Sequence, residues 1–201
     1  MRSIFTFIIE PKEGRYNNKK KVNNKELILN SVIANHEYIS RNAIVLETPS
    51  AIKTNIKAGD EVIVHHNIFR RYHDVHGNEV DSSNYIEGNK FFCTPDQVFL
   101  YKRNRDWQAP SGYCFVKPIK SIDEFDTNTE RPLIGVLKYA DKELENNGIK
   151  AGDLVGFTPD SEYEFTVEGE RMYRVLTNEI TIKYEYQGDE EEYNPSWLQS
   201  G

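Results

Sequence analysis

The sequence predicts an all-β protein built from two tandem small β-barrels, and three observations carry that expectation. A pentapeptide is duplicated: Ile56-Lys57-Ala58-Gly59-Asp60 returns as Ile149-Lys150-Ala151-Gly152-Asp153, 93 positions later. Each copy sits at the same place in a repeated succession of short Val-, Ile-, Phe- and Tyr-rich runs separated by turn residues. Helical periodicity is absent beyond a single turn expected at Asp141 to Asn146.

Taken in order, Phe5-Thr6-Phe7-Ile8-Ile9-Glu10 reads as a first strand stopped by Pro11, which cannot donate to a ladder. Ala43-Ile44-Val45-Leu46-Glu47 is the next β-run, and the Gly59-Asp60 turn feeds Glu61-Val62-Ile63-Val64. Lys90-Phe91-Phe92-Cys93 and Asp96-Gln97-Val98-Phe99-Leu100-Tyr101 close the set. The second set echoes the first: Tyr113-Cys114-Phe115-Val116-Lys117-Pro118, Leu133-Ile134-Gly135-Val136-Leu137-Lys138, Leu154-Val155-Gly156-Phe157 after the repeated turn, Tyr173-Arg174-Val175-Leu176, and Glu179-Ile180-Thr181-Ile182-Lys183-Tyr184.

Domain boundaries follow from this repeat and from charge. Residues 1–106 carry 16 basic and 13 acidic side chains, whereas residues 107–201 carry 9 and 19. The expected layout is a first barrel over 1–106, a joint through Arg103 to Gly112, a second barrel over 107–186 and an acidic tail over 187–201. The tail, with Glu190-Glu191-Glu192 and an aromatic tip at Trp197-Leu198, is expected to be disordered, the alternative being that Trp197 and Leu198 pack on a neighbouring subunit.

Composition excludes several classes. The net charge of −7 disfavours nucleic-acid binding, since Lys19-Lys20-Lys21 and Arg70-Arg71 are short runs typical of solvated loops. No apolar run approaches the roughly 18–20 residues of a membrane span, and the N-terminal run Ile4 to Ile9, ended by Glu10, is too short for a signal h-region, so a cytoplasmic chain without membrane contact is expected. Cys93 and Cys114 are too few for a disulfide framework or a four-thiolate zinc site and fit two reduced thiols. The 12 Tyr, 10 Phe and 2 Trp argue for a packed core despite a mean hydropathy of −0.68.

The two repeats differ most after their first strands. Pro11 to Gly59 spans 48 positions and Pro118 to Gly152 only 34. The surplus is the polar, Asn- and Lys-rich stretch Lys12 to Glu26, expected to be mobile, followed by the apolar triplet Leu27-Ile28-Leu29. Two readings of the triplet stand side by side: a short core strand, or a linear motif that orders on docking into a partner's apolar groove. Docking of that kind is weak per copy and reversible, and it gains strength when several copies are held together.

Four of the five histidines, His65, His66, His73 and His76, fall within twelve residues around Asp74. Adjacent residues of a strand point to opposite faces, so only one of His65 and His66 is expected to join a common site, and the spacing fits metal-ligand patterns loosely. An exposed hairpin is the expected reading, with Arg70, Arg71 and Tyr72 as a competing contact surface, and no metal is assigned. No phosphate loop, nucleophile elbow or zinc-protease helix is present, so no catalytic residue, no cofactor and no enzymatic activity are expected.

A first strand, a polar loop bearing an apolar triplet, the β-run 43–47, the segment Ile56 to Val64 and a last strand entered through an aspartate together resemble the GroES (10-kDa chaperonin) family, most closely its divergent bacteriophage members. The family's Val-Lys-x-Gly-Asp-x-Val pattern is matched at 56–62 and less completely at 149–155. The resemblance covers nearly the whole chain, once per domain. It implies two GroES-like barrels and a co-chaperonin that assists folding by capping a GroEL-type chaperonin, in a homo-oligomeric ring, in the host cytoplasm if the chain is phage-encoded. It implies that Leu27, Ile28 and Leu29 are the chaperonin-binding tripeptide on a mobile loop at about 11–30, and that Gly59-Asp60 and Gly152-Asp153 are structural turns. The loops Glu47 to Asn55 and Tyr139 to Gly148 are short for the family's roof hairpin, and the acidic stretch Ser121 to Glu130 has no triplet and is expected not to dock. The alternative class is a structural or assembly protein, for example of a virion, that reuses the tandem fold without chaperonin binding.

Overall fold

The short β-branched and aromatic runs pair as antiparallel strands in a computed structural model, which describes residues 2–17, 19–22, 25–28, 38–122 and 130–194, with the backbone alone for 19–22 and 25–28. The chain divides into two compact units, Met1–Trp107 and Gln108–Gly201. The strands of the first are β1 (Phe7–Pro11), β2 (Lys19–Val22), β3 (Lys25–Ile28), β4 (Asn42–Glu47), β5 (Glu61–Val64), β6 (Arg71–His73), β7 (Glu79–Asp81), β8 (Tyr85–Glu87), β9 (Lys90–Cys93), β10 (Val98–Arg103) and β11 (Asp106–Gln108), the last at the boundary. Those of the second are β12 (Tyr113–Lys120), β13 (Glu130–Tyr139), β14 (Leu154–Phe157), β15 (Tyr163–Val167), β16 (Glu170–Leu176) and β17 (Ile180–Tyr184), with one helix, α1 (Lys142–Asn146), between β13 and β14.

The first unit holds a seven-stranded sheet of order β11-β10-β5-β4-β1-β9-β8, and the second a six-stranded sheet of order β15-β16-β12-β13-β14-β17. Read from β10 and from β17, six strands follow in the same succession, and neither hydrogen-bonded order closes on itself. The duplication is thus one of topology as well as of sequence.

The repeated pentapeptide explains part of the likeness. Lys57 and Lys150 donate their backbone N–H groups to the carboxylates of Asp60 and Asp153, at 2.8 and 2.7 Å, closing the turn around a glycine at positive φ. A cation from β10 or β17 clamps each turn. Arg103 bonds Asp60 and the Asn55 carbonyl, and Lys183 bonds Asp153 and the Gly148 carbonyl. Asn55 and Gly148 each precede the isoleucine of the repeat.

Consecutive residues are buried along β1, β10, β12 and β14, whereas β4 alternates buried and partly exposed residues. Phe7, Ile9, Val45, Val62, Val64, Phe69 and Phe91 form the first core, with Phe69 and Phe91 edge to face at 5.0 Å, and Cys114, Val116, Leu137, Val155 and Val175 anchor the second. Pro11 ends β1 opposite Ala43, and Pro118 lies opposite Gly135. A Cβ on Gly135 would stand 2.4 Å from the Lys117 carbonyl oxygen, so the strands approach there only because that residue is glycine. The helical turn expected near Asp141 is α1, capped by Asp141, whose buried carboxylate accepts from the N–H groups of Leu144 and Gly112 and from the Thr177 hydroxyl. Among the described residues no helix is long and apolar enough to cross a membrane.

Two expectations are corrected. The acidic tail is held as far as Asn194. Beyond the point where β16 stops pairing with β12, the tail takes over the open edge: Lys120 donates its N–H to the Glu191 carbonyl at 2.7 Å, and Tyr193 donates to the Pro118 carbonyl at 2.9 Å. Lys117–Glu192, Lys120–Glu191 and Arg131–Asp189 ion pairs explain why so acidic a segment settles there. Trp197 and Leu198 lie outside the described residues. The second correction concerns residues 12–17, which are pinned rather than loose.

Candidate functional site

The connection between β1 and β4 begins with a fixed neck. Asn17 donates its N–H to the Tyr38 carbonyl at 2.7 Å, Ser40 donates to the Arg15 carbonyl at 2.9 Å, and Tyr16 bridges Ile39 between them. Arg15 holds the neck to the first core: its Nε donates to the Phe69 carbonyl at 3.0 Å, its Nη1 to Asp81, and its guanidinium lies 5.0 Å from the Phe91 ring centroid. Tyr16 packs against the same core, and its hydroxyl oxygen accepts the Arg71 N–H at 2.9 Å. Sequence reasoning missed both anchors. They sit in a polar stretch, and their partners lie 54 to 66 residues away, so nothing local marks them.

Beyond the neck, positions 18–37 form a twenty-residue excursion whose two ends meet at bonded neighbours. Within it β2 and β3 pair antiparallel, Lys19 opposite Ile28 and Lys20 opposite Leu27, as a separate two-stranded ribbon that joins neither large sheet. A lone ribbon is marginally stable without further burial. The backbone of Leu27 and Ile28 belongs to this ribbon, and Leu29 lies outside the described residues. The core-strand reading of the triplet therefore finds β3 as a strand, but not as one of the seven-stranded sheet.

The corresponding connection of the second unit, between β12 and β13, is built differently. Its segment 123–129 lies outside the described residues, while its root at Glu130 enters a buried ionic cluster. Arg171, 3% exposed, donates Nε to Glu164, 2% exposed, at 2.7 Å, and also bonds Glu130 and the Tyr173 hydroxyl. Tyr173 donates to Glu130, and burial followed by that carboxylate pushes its own pKa well above the ordinary phenol value. Burial alone would lower the Arg171 pKa, but hydrogen bonds to Glu130 and Glu164 outweigh it and raise it. Every charge here has a partner, as buried charges require.

The histidine-rich segment departs from its expected geometry. β5 ends at Val64, and His65 caps a 3-10 turn, His66–Ile68, with Nδ1 accepting the Asn67 N–H at 3.1 Å. The two imidazoles therefore stack, centroids 4.6 Å apart, instead of pointing to opposite faces. His73 and His76 lie in the β6–β7 hairpin, closed by Asp74, whose carboxylate accepts from Asn78 and His76. Among the described residues no three His, Cys, Asp or Glu side chains converge as a metal site would need.

Among the described residues no nucleophile, base and orienting group are brought together. No protein-family model and no curated protein sequence matches the chain.

Proposed function

We propose that the chain is a non-enzymatic co-chaperonin that caps a GroEL-type chaperonin, presenting Leu27-Ile28-Leu29 to apolar grooves of its partner and assisting protein folding. In this reading each unit is a GroES-like barrel, the chains assemble in a ring, and the protein works in the cytoplasm, that of the host if the gene is a phage's. The partner supplies nucleotide hydrolysis, and no cofactor, metal, nucleic acid or membrane takes part.

The observation that supports the reading is the segment 18–37, tethered at a neck held by Arg15 and Tyr16, with the backbone of Leu27 and Ile28 in a ribbon apart from both large sheets. A tethered apolar segment loses ordering entropy on docking, so each copy binds weakly, and a ring of copies converts weak binding into a reversible cap. Replacing residues 18–37 by a short Gly-Ser link from Asn17 to Tyr38 tests it. The expected result is an intact fold that no longer sediments with the chaperonin in the presence of adenine nucleotide; sedimentation equal to that of the parent chain would refute it.

The second reading, an assembly protein that never meets a chaperonin, draws on the pinned residues 12–17 and the paired β2–β3 backbone. It predicts that the same deletion abolishes incorporation into an assembly while chaperonin binding is absent from the start.

A further inference from the structure

β12 outruns its neighbour on one side. Its last pair with β16 is Val116 opposite Tyr173, yet the strand continues through Lys117 to Lys120. In the first unit β1 stops at Pro11, the counterpart of Pro118, so the stretch Ile119–Lys120 has no equivalent there.

The chain's own tail occupies that stretch. Glu190 makes the turn that aims it, its carboxylate accepting the N–H groups of Gln187 and Gly188 at 2.7 and 2.9 Å. Glu192 then bridges Ile119 in antiparallel register, between the backbone bonds that join Lys120 to Glu191 and Tyr193 to Pro118. Asn194 ends the contact, its Oδ1 accepting the Arg171 N–H at 2.9 Å, and the Tyr193 ring centroid lies 5.8 Å from the Arg171 guanidinium. Cations from two strands meet the tail: on β12, Lys117 lies 3.0 Å from Glu192 and Lys120 3.6 Å from Glu191, and on β13, Arg131 lies 3.4 Å from Asp189.

The site is better built than its occupant is held. The side chains of Lys117 and Arg131 are 10% and 17% exposed, whereas those of Glu192 and Asp189 are 60% and 41% exposed. Ion pairs to exposed carboxylates contribute little and weaken in salt, and the two backbone bonds work against the ordering entropy of the segment. When the tail lifts, the Lys120 and Arg171 N–H groups and the Pro118 carbonyl lose these partners beside Lys117, Lys120 and Arg131. A strand edge left in that state is a template for an extended segment from outside.

We infer that the Pro118–Lys120 edge of the second unit is a binding site for an extended acidic segment of another protein, consecutive carboxylates followed by an aromatic residue, and that Asp189–Asn194 is its resident competitor. A second copy's tail is a poor occupant, since it offers the same contacts as the chain's own tail without the tether's effective concentration. A foreign strand gains by pairing along the whole stretch from Lys117 to Lys120, where the tail bridges at Ile119. The site belongs to the second unit and does not depend on chaperonin docking.

Fluorescence anisotropy on the full chain tests it, with a labelled peptide of the sequence Gly188 to Asn194 as the probe. An unlatched variant, Glu192→Lys with Tyr193→Pro, loses the ion pair to Lys117 and the N–H that Pro118 accepts. It is expected to bind the probe at least about 10-fold more tightly than the parent chain, whose own tail competes. Adding Lys120→Glu and Arg131→Glu removes the gain, as does a probe with glutamine in place of each glutamate. Equal binding by the parent chain and the unlatched variant, or binding by neither, overturns the inference. An oligomer of the parent chain that falls apart in the unlatched variant puts a second copy's tail on the edge and overturns it as well. Where the unlatched variant fails to show a cooperative melt, amide exchange in the parent chain decides. Lys120 and Tyr193 are expected to exchange together, faster in added salt and well ahead of Leu137, which donates to the Asp153 carbonyl. Excess probe then slows Lys120 and speeds Tyr193, because it covers the edge that the tail leaves. Protection of Lys120 equal to that of Leu137 in any salt, or a Tyr193 amide that the probe does not move, overturns the inference.

Discussion

Gly59 donates its backbone N–H to the carbonyl of Val45 at 2.7 Å while holding a φ of +89°, and Gly152 repeats the bond to Leu137 at 2.7 Å with a φ of +93°. Val45 and Leu137 in turn donate to the carbonyls of Asp60 and Asp153. The pentapeptide thus fastens the turn before β5 or β14 to the strand beside it, in both units.

Alanine at either glycine therefore strains the backbone without a clash, since a Cβ added at either position would meet no atom within 4 Å. Gly59→Ala and Gly152→Ala are each expected to cost about 1–2 kcal/mol. The check is the urea midpoint, which falls while the slope stays constant.

The Arg171 cluster gives a larger effect. Arg171→Ala leaves Glu164 buried without its cation and is expected to destabilise the protein by about 3–5 kcal/mol, whereas replacing the whole cluster by apolar residues of similar volume is close to neutral. Chemical denaturation of both variants separates the cost of a broken pair from the net worth of an intact one.

The strands and the duplication are legible in the sequence because both are local: short Val-, Ile-, Phe- and Tyr-rich runs, a proline that ends β1 at Pro11, and a Gly-Asp turn written twice; the expected stop at Pro118 fails, because β12 runs on through it to Lys120. What escapes a sequence reading depends on distant partners. Arg15 reads as part of a loose polar arm until Phe69 and Asp81 are brought to it, and Glu191 and Glu192 read as a solvated tail until Lys117, Lys120 and the open edge of β12 receive them. For His65 and His66 the difference is one residue of strand length, since the cap of a 3-10 turn converts opposite faces into a stack. Of the triplet, the sequence shows its existence, and the fold adds the neck behind it.

Both cysteines are buried and free. Burial, followed by the nearby Asp141, pushes the Cys114 thiol up to about 12, and burial with Asp96 moves Cys93 in the same direction. A thiol-reactive dye at mildly alkaline pH is expected to leave the native protein unlabelled and to label both residues in concentrated guanidinium.

Acid is expected to loosen the second unit. The Lys183 ammonium, then the Lys150 N–H, hold the Asp153 carboxyl below its ordinary value; for Glu170, burial works in the opposite direction but Lys117 and Lys138 outweigh it. Groups depressed in the folded state stabilise it above the ordinary carboxylate pKa, and that stability is lost as pH falls through the depressed values, below about pH 4. Lys117 acts at the other end: burial opposes its charge, Glu192 and Glu170 more than compensate, and the resulting stability fades as pH rises past the ordinary lysine value. Thermal melts across pH should show both flanks, with a shallower acid flank in Lys183→Met.

Size-exclusion chromatography with a GroEL-type chaperonin, with and without adenine nucleotide, tests the central claim most directly. The variant combines Leu27→Asp, Ile28→Asp and Leu29→Asp. Capping through the triplet predicts nucleotide-dependent co-elution of the parent chain that disappears in the variant while its melting curve is unchanged. A parent chain that never co-elutes with its cognate chaperonin, or a variant that co-elutes as well as the parent, would contradict it.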